Sequence, residues 1–134
     1  CKQGFTFIEI LVVITIIGVL TLVGTTNFAV VNKKARDGKR QGDLEQIKAA
    51  LEMYRTDVKA YPNSGSWQPT VGGSLNYSGT TYINNIPGDP KTGLQYYYSS
   101  NTITFKLCAQ LELTPAVDTC TESGSHNYGI TNPL

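Results

Sequence analysis

One acidic side chain lies inside the most apolar stretch of the sequence. Glu9 is the only charged residue between Phe5 and Val23. A carboxylate in an apolar environment is costly, so such a residue usually has a partner or a function. Its own helix offers no nearby cation, because Lys2 lies seven positions upstream and helical side chains pair at spacings of three or four. Glu9 is therefore either held neutral or paired with a cation from another molecule.

Few other residues have the types or the spacing that catalysis needs. The 134-residue chain contains one histidine, His126, which excludes a histidine-based metal cluster and gives little basis for a serine or cysteine triad. No Walker-type phosphate loop or dinucleotide-binding glycine motif occurs. The net charge of +1 provides no basic field that would attract nucleic acid. The sequence therefore predicts a structural protein rather than an enzyme, with no specific nucleic acid as partner.

Charge divides the chain into three regions, although its length suits one domain. Residues 1–31 carry one base and one acid, residues 32–59 carry eight bases and five acids, and residues 60–134 carry two bases and four acids. In the first region, nineteen consecutive residues read FTFIEILVVITIIGVLTLV. As a helix they would span about 28 Å, close to the hydrocarbon thickness of a bilayer. They are apolar all round, which predicts a helix inserted in a membrane or otherwise fully buried.

The start of this apolar stretch carries a motif. Residues 4–11 read GFTFIEIL, and this segment resembles the processing site of type IV pilins and type II secretion pseudopilins. In that family a prepilin peptidase cuts after the glycine and methylates the new amine. The resemblance implies a cut between Gly4 and Phe5, with residues 1–4 as the remnant of a leader. It also implies that Glu9 meets the terminal amine of a neighbouring subunit, a pairing that would relieve the desolvation of both charges.

Hydrophobic periodicity predicts an amphipathic helix over residues 32–60. No proline occurs before Pro62, so the helix is expected to run almost unbroken from Phe5 to about Lys59, with the low helix propensity of residues 24–27 as its weakest point. The hydrophobic half, residues 5–31, would protrude from the rest of the domain. The apolar face of the second half recurs at spacings of three and four and consists of Leu44, Ile47, Leu51, Tyr54 and Val58.

Five basic residues follow the apolar stretch closely. One interpretation is a solvated helix face, and the other is that they contact acidic head surfaces of neighbouring subunits, which the opposite net charges of the second and third regions would favour. The five are Lys33, Lys34, Arg36, Lys39 and Arg40.

The remaining residues, 61–134, are expected to form a small β-rich head. Alternation of apolar and polar residues predicts a strand over Thr102–Leu111, with Ile103 on its inner, apolar face and Cys108 on its outer face. This strand is expected to pair with a strand over Gln95–Ser99 through a turn at residues 100–101. His126–Ile130 is a candidate third strand, and residues 62–81 are interpreted as a loop anchored by Trp67. The fold class is therefore α+β, a long N-terminal helix packed on a small antiparallel sheet, which is the pilin fold that the resemblance implies.

Two cysteines, Cys108 and Cys120, lie in this head. In an exported domain they are expected to form a disulfide that staples the C-terminal loop to the sheet edge, as in many pilins, with two free buried thiols as the alternative. Asp118 and Glu122 could hold Ca²⁺ with loop carbonyls, as in some pseudopilins. Two carboxylates without a defined loop pattern do not predict a site, so no metal and no cofactor is expected.

The sequence thus favours a structural subunit of a type IV pilus-like filament, anchored by a single membrane span before assembly and then exposed at the cell surface. Its partners would be copies of itself, the prepilin peptidase and the inner-membrane assembly machinery. The alternative is a major pseudopilin of a type II secretion system, for which Asp89-Pro90 before the tyrosine-rich strand is a further resemblance. A second alternative is a minor pilin or a single-span binding module for DNA uptake or adhesion.

Overall fold

The computed structural model describes residues 4–26, 28–113, 120 and 126–132. The chain divides into two compact units, Cys1–Lys33 and Lys34–Leu134. The described residues of the first unit are helical from Phe7 onward, and those of the second unit contain helix, two antiparallel sheets and most of the buried side chains.

Two helices occupy the N-terminal part of the chain. Helix α1 covers Phe7–Thr26 and helix α2 covers Phe28–Val58, while Asn27 between them lies outside the described residues. Every residue from 4 to 22 is exposed. None of the helices in the described part of the chain combines the length and the apolar character that crossing a membrane requires. The membrane location stays a prediction.

Helix α2 packs its apolar face on the rest of the second unit. Leu44, Ile47 and Leu51 are completely buried, which confirms the periodicity found in the sequence. The helix ends where Lys59 adopts a positive φ of 66° and its N–H donates to the Arg55 carbonyl at 2.8 Å. A residue in the left-handed region at this position is a common way to end a helix.

In the part of the chain that the structure describes, five short strands form two sheets. Strands β1 (Leu75–Tyr77) and β2 (Thr80–Ile83) form a hairpin. Strands β3 (Tyr97–Ser100), β4 (Phe105–Ala109) and β5 (Tyr128–Thr131) form an antiparallel sheet in the order β3-β4-β5. A helix packed on small antiparallel sheets confirms the α+β fold class.

The interpretation of residues 62–81 as a loop is wrong, because β1 and the start of β2 lie within them. Ser78 and Gly79 connect the two strands with φ of 48° and 85°. Positive φ at both central residues is what a two-residue type I′ hairpin turn requires. The Ser-Gly dipeptide between two short runs rich in Tyr and Thr was the available signal.

The central strand, β4, is shorter than predicted, and two of the side chains assigned to it differ from the prediction in their exposure to solvent. Strand β4 begins at Phe105, so residues 101–104 form a four-residue connection instead of the predicted two-residue turn. Ile103, predicted to face the core, is 71% exposed in that connection. Cys108, predicted to face outward, is 1% exposed because Cys120 is bonded to it and covers that side of the strand.

The core lies between α2, the hairpin and the three-stranded sheet. Trp67 packs edge-on against Tyr98, and Tyr61 packs edge-on against Phe105. The fully or nearly fully buried apolar side chains come from all of these elements and include Leu44, Ile47, Leu51, Tyr61, Leu75, Ile86, Tyr98, Phe105 and Leu107.

Candidate functional site

The residues around the expected cut are accessible and lie before the first turn of α1. Gly4 is exposed, and a Cβ atom added there would meet nothing within 4 Å. Phe5 is 81% exposed. The chain's own packing therefore does not require glycine at this position, so a requirement imposed by a peptidase would account for it. The roles of Gly4 and Phe5 remain predictions.

Glu9 lies in the first turn of α1 and folds back toward Thr6. The backbone N–H and the hydroxyl of Thr6 both donate to Oε2 of Glu9 at 3.3 Å. Thr6 precedes the first helical residue and Glu9 is the third, so the pair forms the glutamate half of a capping box. Sequence reasoning missed Thr6, although the Thr-x-x-Glu spacing was available. The expected role of Glu9 in assembly is a prediction that these contacts do not test.

A buried arginine organises the second unit. Arg40 is completely buried on α2. Its Nε and Nη2 donate to the two carboxylate oxygens of Asp89 at 2.7 and 2.9 Å. Its Nη1 donates to Asp37 at 2.7 Å and to Glu112 at 3.1 Å. One guanidinium thus joins three carboxylates from three chain segments, and we call these four residues the arginine network.

Asp37 in this network also holds the backbone that follows β4. Its carboxylate accepts hydrogen bonds from the N–H groups of Glu112 and Leu113, at 2.8 to 3.1 Å. Arg36 adds a two-bond contact to the Glu112 carboxylate, at 2.6 and 2.8 Å. Since Glu112 lies more than seventy positions from Asp37 in sequence, these bonds fix the start of the C-terminal segment to helix α2.

A second polar contact lies one turn further along α2. The buried Tyr96 hydroxyl donates to Asp43 at 2.7 Å, and Lys39 donates to the same carboxylate oxygen at 2.9 Å. Burial of Tyr96 and its bond to the Asp43 carboxylate raise the pKa of its hydroxyl far above the ordinary value. In the described residues, every buried side-chain nitrogen and oxygen has a hydrogen-bond partner. The buried polar atoms of the arginine network are therefore satisfied by partners within the chain.

The hydrogen bonds among Arg36, Arg40 and their carboxylate partners shift the pKa values of several of these groups. The hydrogen bond from Arg36, joined by that from Arg40, lowers the pKa of Glu112 from 4.5 to about 2. Burial opposes ionisation of Asp89, but hydrogen bonds from Arg40 and from the Lys91 N–H outweigh it and lower its pKa. The same Asp89 bonds raise the pKa of Arg40. All of these groups are thus charged at neutral pH.

Acid is therefore expected to weaken the second unit. A carboxyl group whose pKa is depressed by folding stabilises the fold above its unfolded pKa, and this contribution is lost as the pH falls through the folded value. Urea unfolding of the wild type and of Glu112→Gln should show a stability difference that is largest above pH 5 and narrows toward pH 2. A difference independent of pH would contradict the assigned charge state of Glu112.

Both interpretations of the basic cluster are wrong for two of its members. The guanidinium groups of Arg36 and Arg40 pair with Glu112, Asp37 and Asp89 of their own chain. They are therefore neither a freely solvated surface nor available to acidic groups of a neighbouring subunit. Sequence reasoning missed these partners, since only the Asp37–Arg40 spacing of three is local. By contrast, Lys33 and Lys34 are exposed, as a solvated face predicts.

A disulfide and the arginine network both act on the C-terminal part of the chain. Cys108 and Cys120 are bonded, with Cα atoms 6.1 Å apart, which confirms the predicted disulfide.

Asp118 and Glu122, the candidate Ca²⁺ ligands, lie outside the described residues. Across residues 4–26, 28–113, 120 and 126–132, no group of three or more metal-ligating side chains is found.

The fold and the N-terminal geometry together define a pilin-like protein, in which an exposed apolar helix precedes a head of helix and antiparallel sheet. Residues 1–25 match the family described as the prokaryotic N-terminal methylation motif. Residues 27–110 match type II secretion system (T2SS) protein G. The chain belongs to the type II secretion system protein G family, within the wider group of type IV pilins and pseudopilins.

Several curated relatives carry the name type II secretion system core protein G. The chain is 35% identical to the protein of Pectobacterium carotovorum over 96 residues, covering 66% of this chain and 62% of the relative. It is 35% identical to that of Escherichia coli K12, covering 66% of each. It is 33% identical to that of Vibrio cholerae, covering 74% of this chain and 71% of the relative. The first two relatives are thus matched over less than two thirds of their length, and no solved structure matches the chain. These relatives favour the secretion alternative over the surface pilus.

Proposed function

We propose that the chain is the major pseudopilin of a type II secretion system, a non-enzymatic subunit that polymerises through its N-terminal helix. The observation that carries this proposal is that every residue from 4 to 22 is exposed, although nearly all of them are apolar, in a chain whose relatives are named for that system. An apolar surface of this extent needs a cover. Copies of the same helix would cover it in a filament, and the membrane would cover residues 5–31 before assembly.

Processing would create the charge that assembly uses. Hydrolysis of the peptide bond between Gly4 and Phe5 leaves an ammonium group on Phe5, which the prepilin peptidase would then methylate. The carboxylate of Glu9 would accept the ammonium group of a neighbouring subunit, setting the axial register of the filament. Until then, the hydrogen bonds from Thr6 give the carboxylate partial satisfaction within its own chain.

Gene deletion and complementation test this proposal. In a host lacking the chain, proteins that normally reach the medium should be retained inside the cell, and the wild-type chain should restore their export. Gly4→Phe should remain unprocessed, as seen by its larger mass, and should fail to restore export. Normal export in the deletion strain, or restoration by unprocessed Gly4→Phe, would contradict the proposal.

A surface type IV pilus is the second candidate. The disulfide between Cys108 and Cys120 favours it, because many pilins close a C-terminal loop in this way. Electron microscopy of material sheared from the cells separates the two. Long fibres containing the chain, from cells whose protein export does not depend on it, would support the pilus.

A further inference from the structure

Two lysines follow the exposed apolar residues at the start of helix α2. Lys33 and Lys34 are consecutive residues of this helix, and both are exposed. Phe28, Val30 and Val31, which precede them, are exposed as well. A lysine at the end of an apolar helix can lay its methylene groups along apolar surface and extend its ammonium group to the lipid headgroups. This order of side chains therefore fits a helix that leaves a membrane at the two lysines.

The contacts of helix α2 leave both lysines without an acidic partner among the described residues. Helical side chains pair at spacings of three or four, and Asp37 is the only acid at such a spacing from Lys33 or Lys34. Its carboxylate instead accepts hydrogen bonds from the buried Arg40 at 2.7 Å and from the Glu112 N–H at 2.9 Å. Asp37 is 6% exposed. The arginine network therefore withholds the one acid that could have paired with these lysines along the helix.

The other three bases of the cluster are paired within the chain. Arg36 and Arg40 form the ion pairs described above. Lys39 donates to the Asp43 carboxylate at 2.9 Å. Within the described residues, the uncompensated positive charge of the cluster therefore belongs to the two members that lie next to the apolar residues.

Helix length places this charge at the level of the lipid phosphates. As a helix, the segment from Phe5 to Lys33 spans about 42 Å. A bilayer measures about 40–45 Å when its headgroup regions are included. With Phe5 at one membrane surface, the lysines lie at the other, where anionic headgroups attract basic residues.

We propose that Lys33 and Lys34 bind the phosphate groups of anionic lipids before the chain enters the filament. This inference rests on the proposed function, in which the membrane covers residues 5–31 before assembly. Each basic residue near an anionic membrane surface strengthens binding by about fivefold. The two lysines therefore hold the chain at a fixed depth and gather anionic lipid around it.

The lipid retained by the full chain tests this contact. The wild type is reconstituted in vesicles of equal parts phosphatidylglycerol, which is anionic, and phosphatidylcholine, which is zwitterionic. After extraction into a mild detergent, native mass spectrometry counts the lipids of each kind that remain bound. The wild type should retain phosphatidylglycerol over phosphatidylcholine by about fivefold or more. The variant with both Lys33→Gln and Lys34→Gln should retain the two lipids equally.

The matched control carries Lys59→Gln with Lys91→Gln. It removes the same amount of charge from two lysines that are also exposed. This control should keep the preference of the wild type, and so should Lys33→Arg with Lys34→Arg, because both cations remain. Extraction at high salt should weaken the preference of the wild type, since salt screens exposed charges.

The outcomes separate this contact from the filament function itself. Equal retention of the two lipids by the wild type, or an unchanged preference in the variant with Lys33→Gln and Lys34→Gln, would overturn the lipid contact and leave the filament function intact. Displacement of the lipid by inorganic phosphate at the same concentration would also overturn it, by showing a site for a free ion. Fewer filaments with an unchanged lipid preference in that variant would overturn it in favour of acidic groups on a neighbouring subunit. Failure of the wild type to insert into vesicles would overturn the membrane stage of the proposed function and the lipid contact with it.

Discussion

Replacement of Arg40 by methionine should lower the free energy of unfolding by about 3–5 kcal/mol. Methionine fills a similar space but removes the cation that Asp37, Asp89 and Glu112 share. Three carboxylates would then lie together in a site where the Asp89 side chain is 1% exposed. Breaking a buried pair by removing one partner is costly because it leaves a charge without compensation. Urea unfolding of the full chain in detergent, at neutral pH and followed by tryptophan fluorescence, measures the change.

Arg36→Met is the matched control for this prediction. Arg36 pairs with the Glu112 carboxylate alone among the described residues, and its side chain is 35% exposed. Water can therefore solvate the Glu112 carboxylate after Arg36 is replaced, and the free energy of unfolding is expected to fall by about 1 kcal/mol. Equal losses for the two variants would show that burial of Arg40 is not the source of its effect. A loss below about 1 kcal/mol for Arg40→Met would show that the carboxylates can be accommodated without it.

Replacement of Glu9 by valine should leave the chain membrane-bound and nearly abolish filament formation. The proposed ammonium of the neighbouring subunit would be left unpaired in an apolar bundle, at a cost of about 3 kcal/mol or more, which is about a 100-fold loss in association. Filament yield after shearing, compared with the amount of chain in the membrane fraction, measures the effect. Unchanged yield would exclude the pairing.

Two further variants separate the charge of Glu9 from its local contacts. Glu9→Gln keeps an acceptor for the Thr6 N–H and hydroxyl but removes the negative charge, so it should assemble as poorly as the valine variant. Thr6→Val removes the hydroxyl and keeps the charge, so it should still assemble. Poor assembly of Thr6→Val together with normal assembly of Glu9→Gln would mean that the cap at the start of α1, and not the ion pair, limits assembly.

Local sequence features were enough to identify the protein's class. The apolar stretch from Phe5, the glycine before it and the single carboxylate at Glu9 predicted a filament subunit of the pilin group, and the family match agrees. The spacing of apolar residues on α2 predicted the buried face, and the cysteines predicted the disulfide. Each of these signals is either periodic or confined to a few neighbouring residues, so one-dimensional reasoning can detect it.

The same reasoning placed the turns and strand ends poorly. It missed the hairpin at residues 75–83 and buried Ile103 in a strand that begins two residues later. Alternation continues through residues 102–104, but the Asn101 side chain accepts hydrogen bonds from the N–H groups of Ile103 and Thr104, and the strand pairing ends before them. A short side chain that bonds to nearby backbone competes with a sheet in a way that hydrophobic pattern does not show.

By itself, the sequence determined the character of each segment of this protein: an apolar helix, an amphipathic helix and a disulfide-linked β-rich head. Only the tertiary structure decided what its charges do. Arg40 lay in a run of basic residues that suggested a solvated surface, yet it is completely buried. Burying a cation is favourable only when carboxylates surround it, and two of the three that do so come from 49 and 72 positions away. Folding brings these groups together, so no local pattern could reveal their partnership.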